Sequence, residues 1–200
     1  MQQMQQMQQM QQKQQIQQKQ NMKLSVRDIC LIGIFAAIIA VMSQLSIPMP
    51  YGVPMTMQTL AVPLAPIVLG TKKGTIATLV YILLGAVGAP VFSGFSGGFG
   101  VVFGVTGGFI LSFPIMALAA GAGERKNNIA WLAAGLMAGA ALNFLCGMLW
   151  FAMIMPADLG TAFAACVLPF LPTGLIKIIL LVAFGGRIKN ILIKASLINP

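Results

Sequence analysis

Apolar residues form long runs from about residue 29 onward, and each run is bounded by polar residues, glycine or proline. A helix needs roughly 20 consecutive apolar residues to cross a bilayer core of about 30 Å. The pattern therefore predicts six membrane-spanning helices, at about residues 29–47, 54–70, 74–91, 98–121, 128–155 and 161–184.

The second run is short and is interrupted by Pro54, Pro63 and Pro66. A break in a membrane helix leaves backbone groups that lipid cannot hydrogen-bond. We expect neighbouring parts of the protein to cover these breaks.

The composition of the chain supports a membrane protein. Of its 200 residues, 58% are hydrophobic and 8% are charged, and the mean hydropathy is +0.89. A soluble domain carries roughly 25% charged residues. The predicted fold is an all-α integral membrane protein, a six-helix bundle with an irregular last span and no length left for a soluble domain.

The basic residues predict the orientation of the chain in the membrane. Lys and Arg number 12 against 3 Asp and Glu, an excess that in a soluble chain would suggest a nucleic-acid partner. Here eleven of the twelve lie before the first span, at every second junction or after the last span: Lys13, Lys19, Lys23, Arg27, Lys72, Lys73, Arg125, Lys126, Arg187, Lys189 and Lys194. The positive-inside rule then puts both termini in the cytoplasm and predicts a multi-pass protein with an even number of spans. Because the basic residues follow the topology, no nucleic-acid partner is expected. The exception is Lys177, which lies inside the last span.

The amino-terminal segment differs from the rest of the chain. It is rich in Gln, and its three-residue period does not match the heptads of a coiled coil. Because such a segment cannot bury enough apolar surface to fold, residues 1–22 are predicted to be a disordered cytoplasmic tail. Residues 23–200 would form the membrane domain.

The sequence offers little catalytic chemistry. It has no His, no CxxC pair among Cys30, Cys146 and Cys166, and only three acidic residues, all at predicted span ends. This disfavours acid–base pairs, metal sites and a cofactor bound by this chain. No GxxxxGK[ST] motif is present, so any ATP would be used by partner chains. An intramembrane enzyme, with Lys177 as the base for a Ser or Thr nucleophile, stays open as an alternative.

Lys177 lies in an apolar, proline-containing run, LPFLPTGLIKIIL, at residues 168–180. Pro169 and Pro172 are expected to interrupt the last span, so that a helix restarts near Thr173 and points its free amides into the protein. Lys177, about one turn into that helix, would add its charge at the same place and form a site for a carboxylate. The alternative is that Lys177 snorkels to the interface and only anchors the helix.

Two groups of small residues allow two interpretations each. The stretch SGFSGGFGVVFGVTGG at 93–108 could let a ligand approach the backbone, or could pack one helix against another. Ala36 and Ala40 lie on a stripe of small residues in the first span, which suits either a partner helix or packing inside the bundle.

Three stretches resemble the BioY family: YGVPMTMQTLAVPLAPIVLG at 51–70, YILLGAVGAPVFSGFSGGFGVVFGVTGGFILSF at 81–113 and LPFLPTGLIKIIL at 168–180. Members of this family are the biotin-specific substrate-binding (S) components of energy-coupling factor (ECF) transporters. The resemblance covers essentially the whole chain after residue 22. Its most specific parts are the VPxTxQTLAV run and the glycine-rich stretch that ends in TGG.

The resemblance implies a six-helix S component that binds biotin near the outer face of a prokaryotic plasma membrane. A transmembrane coupling protein and two ATPase subunits would use ATP to drive release inside the cell. The loop between the first two helices would act as a lid. The residues that the family's motifs place in the pocket are Gln58, Ser96, Gly97, Gly98, Thr106, Gly107, Gly108 and Lys177. Ala36 and Ala40 resemble the stripe through which S components dock on the coupling protein.

The last of the three stretches departs from the family pattern. The family usually reads P-G-D-L-x-K before the last helix, whereas this chain has Gly174 at the acidic position. Thr173 or a water is the candidate for the missing contact, and Lys177 has no acidic neighbour in the sequence. We expect such a lysine to prefer an anionic ligand, or else to lose its proton when the pocket is empty.

The predicted function is therefore biotin uptake, as the high-affinity substrate-binding subunit of an ECF-type ABC transporter without catalysis of its own. Two alternatives are a self-sufficient secondary transporter or facilitator of biotin, and an S component for another small vitamin. A proton-coupled transporter is disfavoured because no His or acidic residue lies within a predicted span.

Overall fold

A computed structural model of the chain describes residues 24–198. The chain divides into two compact units, Met1–Leu31 and Ile32–Pro200. Of the first unit the structure describes residues 24–31, which include the beginning of the first helix. The predicted disordered tail, residues 1–22, lies outside the described residues, and its boundary with the membrane domain stays a prediction.

The described residues form eight α-helices and one two-stranded antiparallel hairpin. The helices are α1 (Val26–Gln44), α2 (Gln58–Leu69), α3 (Thr71–Ala86), α4 (Phe99–Val102), α5 (Gly107–Glu124), α6 (Ile129–Ile154), α7 (Leu159–Cys166) and α8 (Phe170–Lys194). The strands are β1 (Ser46–Ile47) and β2 (Met55–Thr56), with Ser46 opposite Thr56. Apart from this short hairpin, the predicted all-helical class is confirmed.

Three of the described helices, α1, α5 and α6, are long and apolar enough to cross a membrane alone. A fourth crossing results if α7 and α8, which meet at a 44° bend, count as one broken span, as the prolines predicted. Helices α2 and α3 have 12 and 16 residues, which gives lengths of about 18 and 24 Å. Neither reaches across about 30 Å of hydrocarbon by itself, so the count of six crossings stays a prediction.

The predicted span at 98–121 is wrong at its beginning. The chain forms the single turn of α4, leaves the helical path through residues 103–106, and starts α5 only at Gly107. Gly98, the residue directly before α4, has a φ of +96°, a conformation that glycine adopts without strain. The indole Nε1 of Trp150 on α6 donates to the carbonyl of Gly104 at 2.9 Å and so satisfies one of the free backbone groups.

The prolines of α2 are covered by neighbouring protein, as predicted. Pro63 and Pro66 lie inside the helix and are buried, and α2 packs against α3, α5 and α8. Gly74 of α3 lies directly against the backbone of Pro66, where a Cβ atom would clash. The close contact of two helix backbones excludes lipid from the donors and acceptors that the prolines leave free.

Large apolar side chains also cover the outside of the helices. Leu83 on α3, Leu149 on α6 and Ile176 on α8 are 62%, 46% and 57% exposed. Exposed apolar area on this scale is unfavourable in water but suits contact with lipid tails. With the long apolar helices, this surface identifies the chain as a membrane protein.

Candidate functional site

A cavity of about 200 Å³ lies within the unit Ile32–Pro200. Its wall is formed by the hairpin, α2, the loop at 91–96 and the inner faces of α5, α6 and α8. Five aromatic side chains provide much of the apolar lining: Phe92, Phe109, Phe113, Phe144 and Phe170. A cavity of about 150 Å³ is enough to bind benzene, so this one can hold a small organic molecule.

Among the lining residues that the structure describes, Lys177 is the charged one, and it is only 7% exposed. Its Nζ donates to the carbonyl of Thr56 at 2.6 Å and to the hydroxyl of Thr59 at 2.9 Å. An ammonium has three N–H donors, so one remains for a ligand. None of the described residues in the lining is acidic. The snorkelling interpretation is wrong, because the ammonium is bound inside the protein.

The helix that carries Lys177 begins earlier than predicted. Helix α8 starts at Phe170, and Thr173 lies within its first turn with its hydroxyl donating to the Phe170 carbonyl at 3.1 Å. Pro172 does not stop the helix, because the amides of the first turn have no partner within the helix in any case.

Lys177 therefore lies two turns into α8, about 10 Å along the axis from Phe170. The predicted pairing of its charge with the free amides of the helix start is wrong. The positive charge in this wall comes from the ammonium itself, which faces inward with Leu181 and Gly185.

Gln58, a predicted site residue, lines the cavity at the start of α2 and is buried. Its amide nitrogen donates to the hydroxyl of Tyr81 on α3, and its amide oxygen accepts from the Thr56 hydroxyl at 3.0 Å. The carbonyl of Thr56 also accepts from Lys177. Thr56, at the end of β2, is therefore linked to α3 through Gln58 and to α8 through Lys177. The predicted lid loop forms the hairpin, and its residues Gly52, Val53 and Pro54 line the cavity.

Ser96, Thr106 and Thr173 also line the cavity, as predicted. Ser96 belongs to the loop at 91–96, where its hydroxyl donates to the Ser93 carbonyl at 2.8 Å. Thr106 precedes α5, and its carbonyl accepts from the amide of Phe109 at 3.1 Å. The structure thus brings five of the predicted residues together around one space.

The four predicted glycines are not in the lining. A Cβ atom at Gly97 would clash with the Ala89 carbonyl, and one at Gly107 or Gly108 would clash with backbone or with Trp150. These three glycines therefore allow close packing, which is the other interpretation of the stretch. Gly98 is the positive-φ residue that precedes α4.

The partner role predicted for Ala36 and Ala40 is not supported by their burial. Ala36 is 3% exposed and belongs to a core cluster with Ile39, Val62 and Phe113. Ala40 is half-buried against the same cluster. Because Ala36 is enclosed by its own bundle, its burial favours the packing interpretation of the stripe, and docking on a coupling protein stays a prediction.

Sequence reasoning missed Asn143, a cavity residue of α6 that is 1% exposed. A signal was present, since Asn143 is the only charged, amide or hydroxyl side chain between residues 129 and 155. Polar residues inside a membrane span are costly and often functional. The aromatic lining carried no such signal, because Phe is common throughout the spans.

Comparison with known proteins gives consistent matches. The model of the BioY family matches residues 11–194. The probable biotin transporter BioY of Pyrococcus horikoshii is 36% identical over 167 residues, covering 84% of this chain and 99% of that protein. Biotin transporter BioY2 of Lactococcus lactis is 39% identical over 168 residues, covering 83% of this chain and 91% of that protein.

A solved structure shares the fold. It is the crystal structure at 2.1 Å of the S-component for biotin from an ECF-type ABC transporter, with a TM-score of 0.76 and 24% identity. The match covers 82% of this chain and 92% of that one. The resemblance predicted from the three sequence stretches is thereby confirmed, and the chain belongs to the BioY family.

Proposed function

We propose that this chain is the high-affinity biotin-binding S component of an ECF-type transporter and takes part in biotin uptake without catalysing a reaction. Its family, and the names of its relatives as biotin transporters, support this function over an enzyme. The shared fold with a biotin S-component supports the same assembly context.

The observation that carries the proposal is the environment of Lys177. A buried ammonium with two neutral acceptors and no carboxylate among the described lining residues lacks a counter-ion there, and a charge in a poorly hydrated cavity is costly without one. Biotin carries a carboxylate on a flexible apolar chain. That carboxylate would accept the remaining N–H of Lys177, while the phenylalanines would contact the rest of the molecule.

The proposal includes the wider arrangement of the transporter. The chain crosses the prokaryotic plasma membrane six times with both termini in the cytoplasm, so that the basic residues of α3 and of the α5–α6 junction lie inside. A transmembrane coupling protein and two ATPase subunits use ATP, and this chain binds no cofactor. Ala36 is left out of the proposed partner surface because of its burial.

Calorimetry on the purified chain in detergent tests the function. We expect one biotin to bind per chain without ATP. Lys177→Ala should weaken binding at least about 30-fold, because removing one member of a buried charge pair costs about 2–5 kcal/mol. A Lys177→Ala protein that binds biotin as tightly as the wild type would contradict the assigned role.

Lys189→Ala is the matched control. Lys189 lies on the same helix but pairs with Glu124 at 2.9 Å and is not in the cavity lining. Its removal should leave biotin affinity unchanged. If the wild-type chain itself binds no biotin, the substrate assignment fails.

A further inference from the structure

Asn143 is held in one orientation by α5. Its Nδ2 donates to the Phe109 carbonyl at 3.0 Å and to the Ser112 hydroxyl at 2.7 Å. The Ser112 hydroxyl in turn donates its proton to the same carbonyl at 3.0 Å, so its oxygen accepts from Asn143. Because a carbonyl only accepts, exchanging the amide nitrogen and oxygen would place two acceptors together. The nitrogen therefore faces α5.

The Oδ1 atom of Asn143 is left without a partner. Among the described residues, two buried side-chain polar atoms lack a hydrogen bond, Asn143 Oδ1 and Thr71 Oγ1. Thr71 is not a cavity residue, whereas Asn143 is. A buried acceptor that has no donor is unfavourable, and in a binding site its partner is commonly the ligand.

Gln58 provides a contrast within the same cavity. Both ends of its amide are bonded to the protein, the nitrogen to Tyr81 and the oxygen to Thr56. Among the described residues of the cavity wall, two have buried side-chain amides, and only that of Asn143 has an oxygen free to accept. Together with the free donor of Lys177, this gives the cavity a donor for an anion and a buried, unpaired acceptor for an N–H group.

We infer that Asn143 Oδ1 accepts a hydrogen bond from an N–H group of the ligand and that Asn143 thereby determines specificity. The cavity selects molecules that carry both an anionic group and a separate amide-like or urea-like N–H. This inference rests on the proposed function, because it takes biotin as the ligand. The cyclic urea of biotin has two N–H groups.

The test pairs variants of the protein with variants of the ligand in calorimetry. The ligands are biotin and its two ureido N-methyl derivatives, each of which lacks one N–H. Wild type should bind one of the two derivatives at least about tenfold more weakly than biotin. Asn143→Ala should bind biotin more weakly by a similar factor and should bind that derivative about as well as it binds biotin.

Ser112→Ala is the matched control variant. It removes one partner of Nδ2 but keeps Oδ1, so the penalty for N-methylation should remain as in wild type. If Ser112→Ala and Asn143→Ala weaken every ligand equally, Asn143 has only a structural role and the inference is overturned.

The ligand series also tests the inference without any variant. Wild type should lose affinity for one N-methyl derivative but should bind biotin sulfoxide, changed only at sulfur, more tightly than that derivative. Equal binding of biotin and both N-methyl derivatives would overturn the inference while leaving the proposed function intact. Absence of biotin binding by wild type would instead overturn the proposed function, and the inference with it.

Discussion

At the scale of the residue, Lys177 is the side chain that the sequence singles out and whose hydrogen-bond partners the structure defines. The other eleven basic residues fit the positive-inside rule, whereas Lys177 lies within the last predicted span. Its position therefore predicted an ammonium inside that span. Its partners could not be predicted, since Thr56 and Thr59 are 121 and 118 residues away in the chain. Such long-range contacts depend on how α8 packs beside the start of α2.

Asp158 allows a prediction at the same scale. It precedes α7, and its carboxylate accepts from the Thr161 hydroxyl at 2.6 Å and the Thr161 amide at 3.0 Å. These bonds favour the charged form and lower the pKa of Asp158 below its ordinary value of 3.8. Its contribution to stability is therefore present above that ordinary value and is lost as the pH falls through the lowered pKa.

We expect Asp158→Ala to lower the thermal unfolding midpoint at neutral pH, because α7 loses its cap. The difference from wild type should shrink as the pH falls below the ordinary pKa of 3.8 and through the lowered pKa of Asp158, where the wild-type carboxyl takes up a proton. Asp158→Asn, which keeps an acceptor oxygen, is the control and should lie closer to wild type at neutral pH. A difference that stays constant over this pH range would show that the charge has no part in the cap.

At the scale of the element, the loop at 91–96 is held in place by the end of α1. Gln44 donates through Nε2 to the Phe92 carbonyl at 3.0 Å and accepts from the Phe95 amide at 2.9 Å. Ser43 donates to the Val91 carbonyl. Because Phe92, Ser93 and Ser96 line the cavity, these bonds fix one side of the binding space.

Gln44→Ala should therefore release this side of the cavity. We expect bound biotin to dissociate several-fold faster, since each lost hydrogen bond contributes about 0.5–1.5 kcal/mol to holding the loop. Release of radiolabelled biotin from the purified protein measures this rate.

Asn128→Ala is the comparison for general destabilisation. Asn128 caps α6 through a bond to the Ala130 amide at 2.8 Å and is not in the lining. This variant should lower stability without changing the dissociation rate. Equal rates for wild type and Gln44→Ala would rule out the proposed role of the loop contacts.

The helices also show how much of the fold the sequence pattern predicts. The apolar runs located the long helices, and the prolines predicted the break between α7 and α8. The start of α8 was placed three residues late, because proline is compatible with the first turn of a helix as well as with its interruption. The glycines at 93–108 left packing and ligand contact both open, and the family resemblance placed them in the pocket, because close packing and ligand contact favour the same residue.

At the scale of the whole molecule, large apolar side chains cover the outside of an apolar core that also encloses a few polar residues. Apolar residues such as Leu83 and Ile176 are exposed, while Lys177, Gln58 and Asn143 are buried. Composition and charge predicted the membrane setting, because neither depends on which residues meet in the fold. They could not predict which polar residues share a cavity, because that depends on the packing of α2, α5, α6 and α8.

The central claim is that Lys177 binds the carboxylate of biotin, and a thermodynamic cycle tests it most directly. Calorimetry would compare biotin with its primary amide, in wild type and in Lys177→Ala. If ammonium and carboxylate contact each other, amidation should cost wild type at least about 30-fold in affinity but cost Lys177→Ala almost nothing. Equal losses on amidation in the two proteins would contradict the claim.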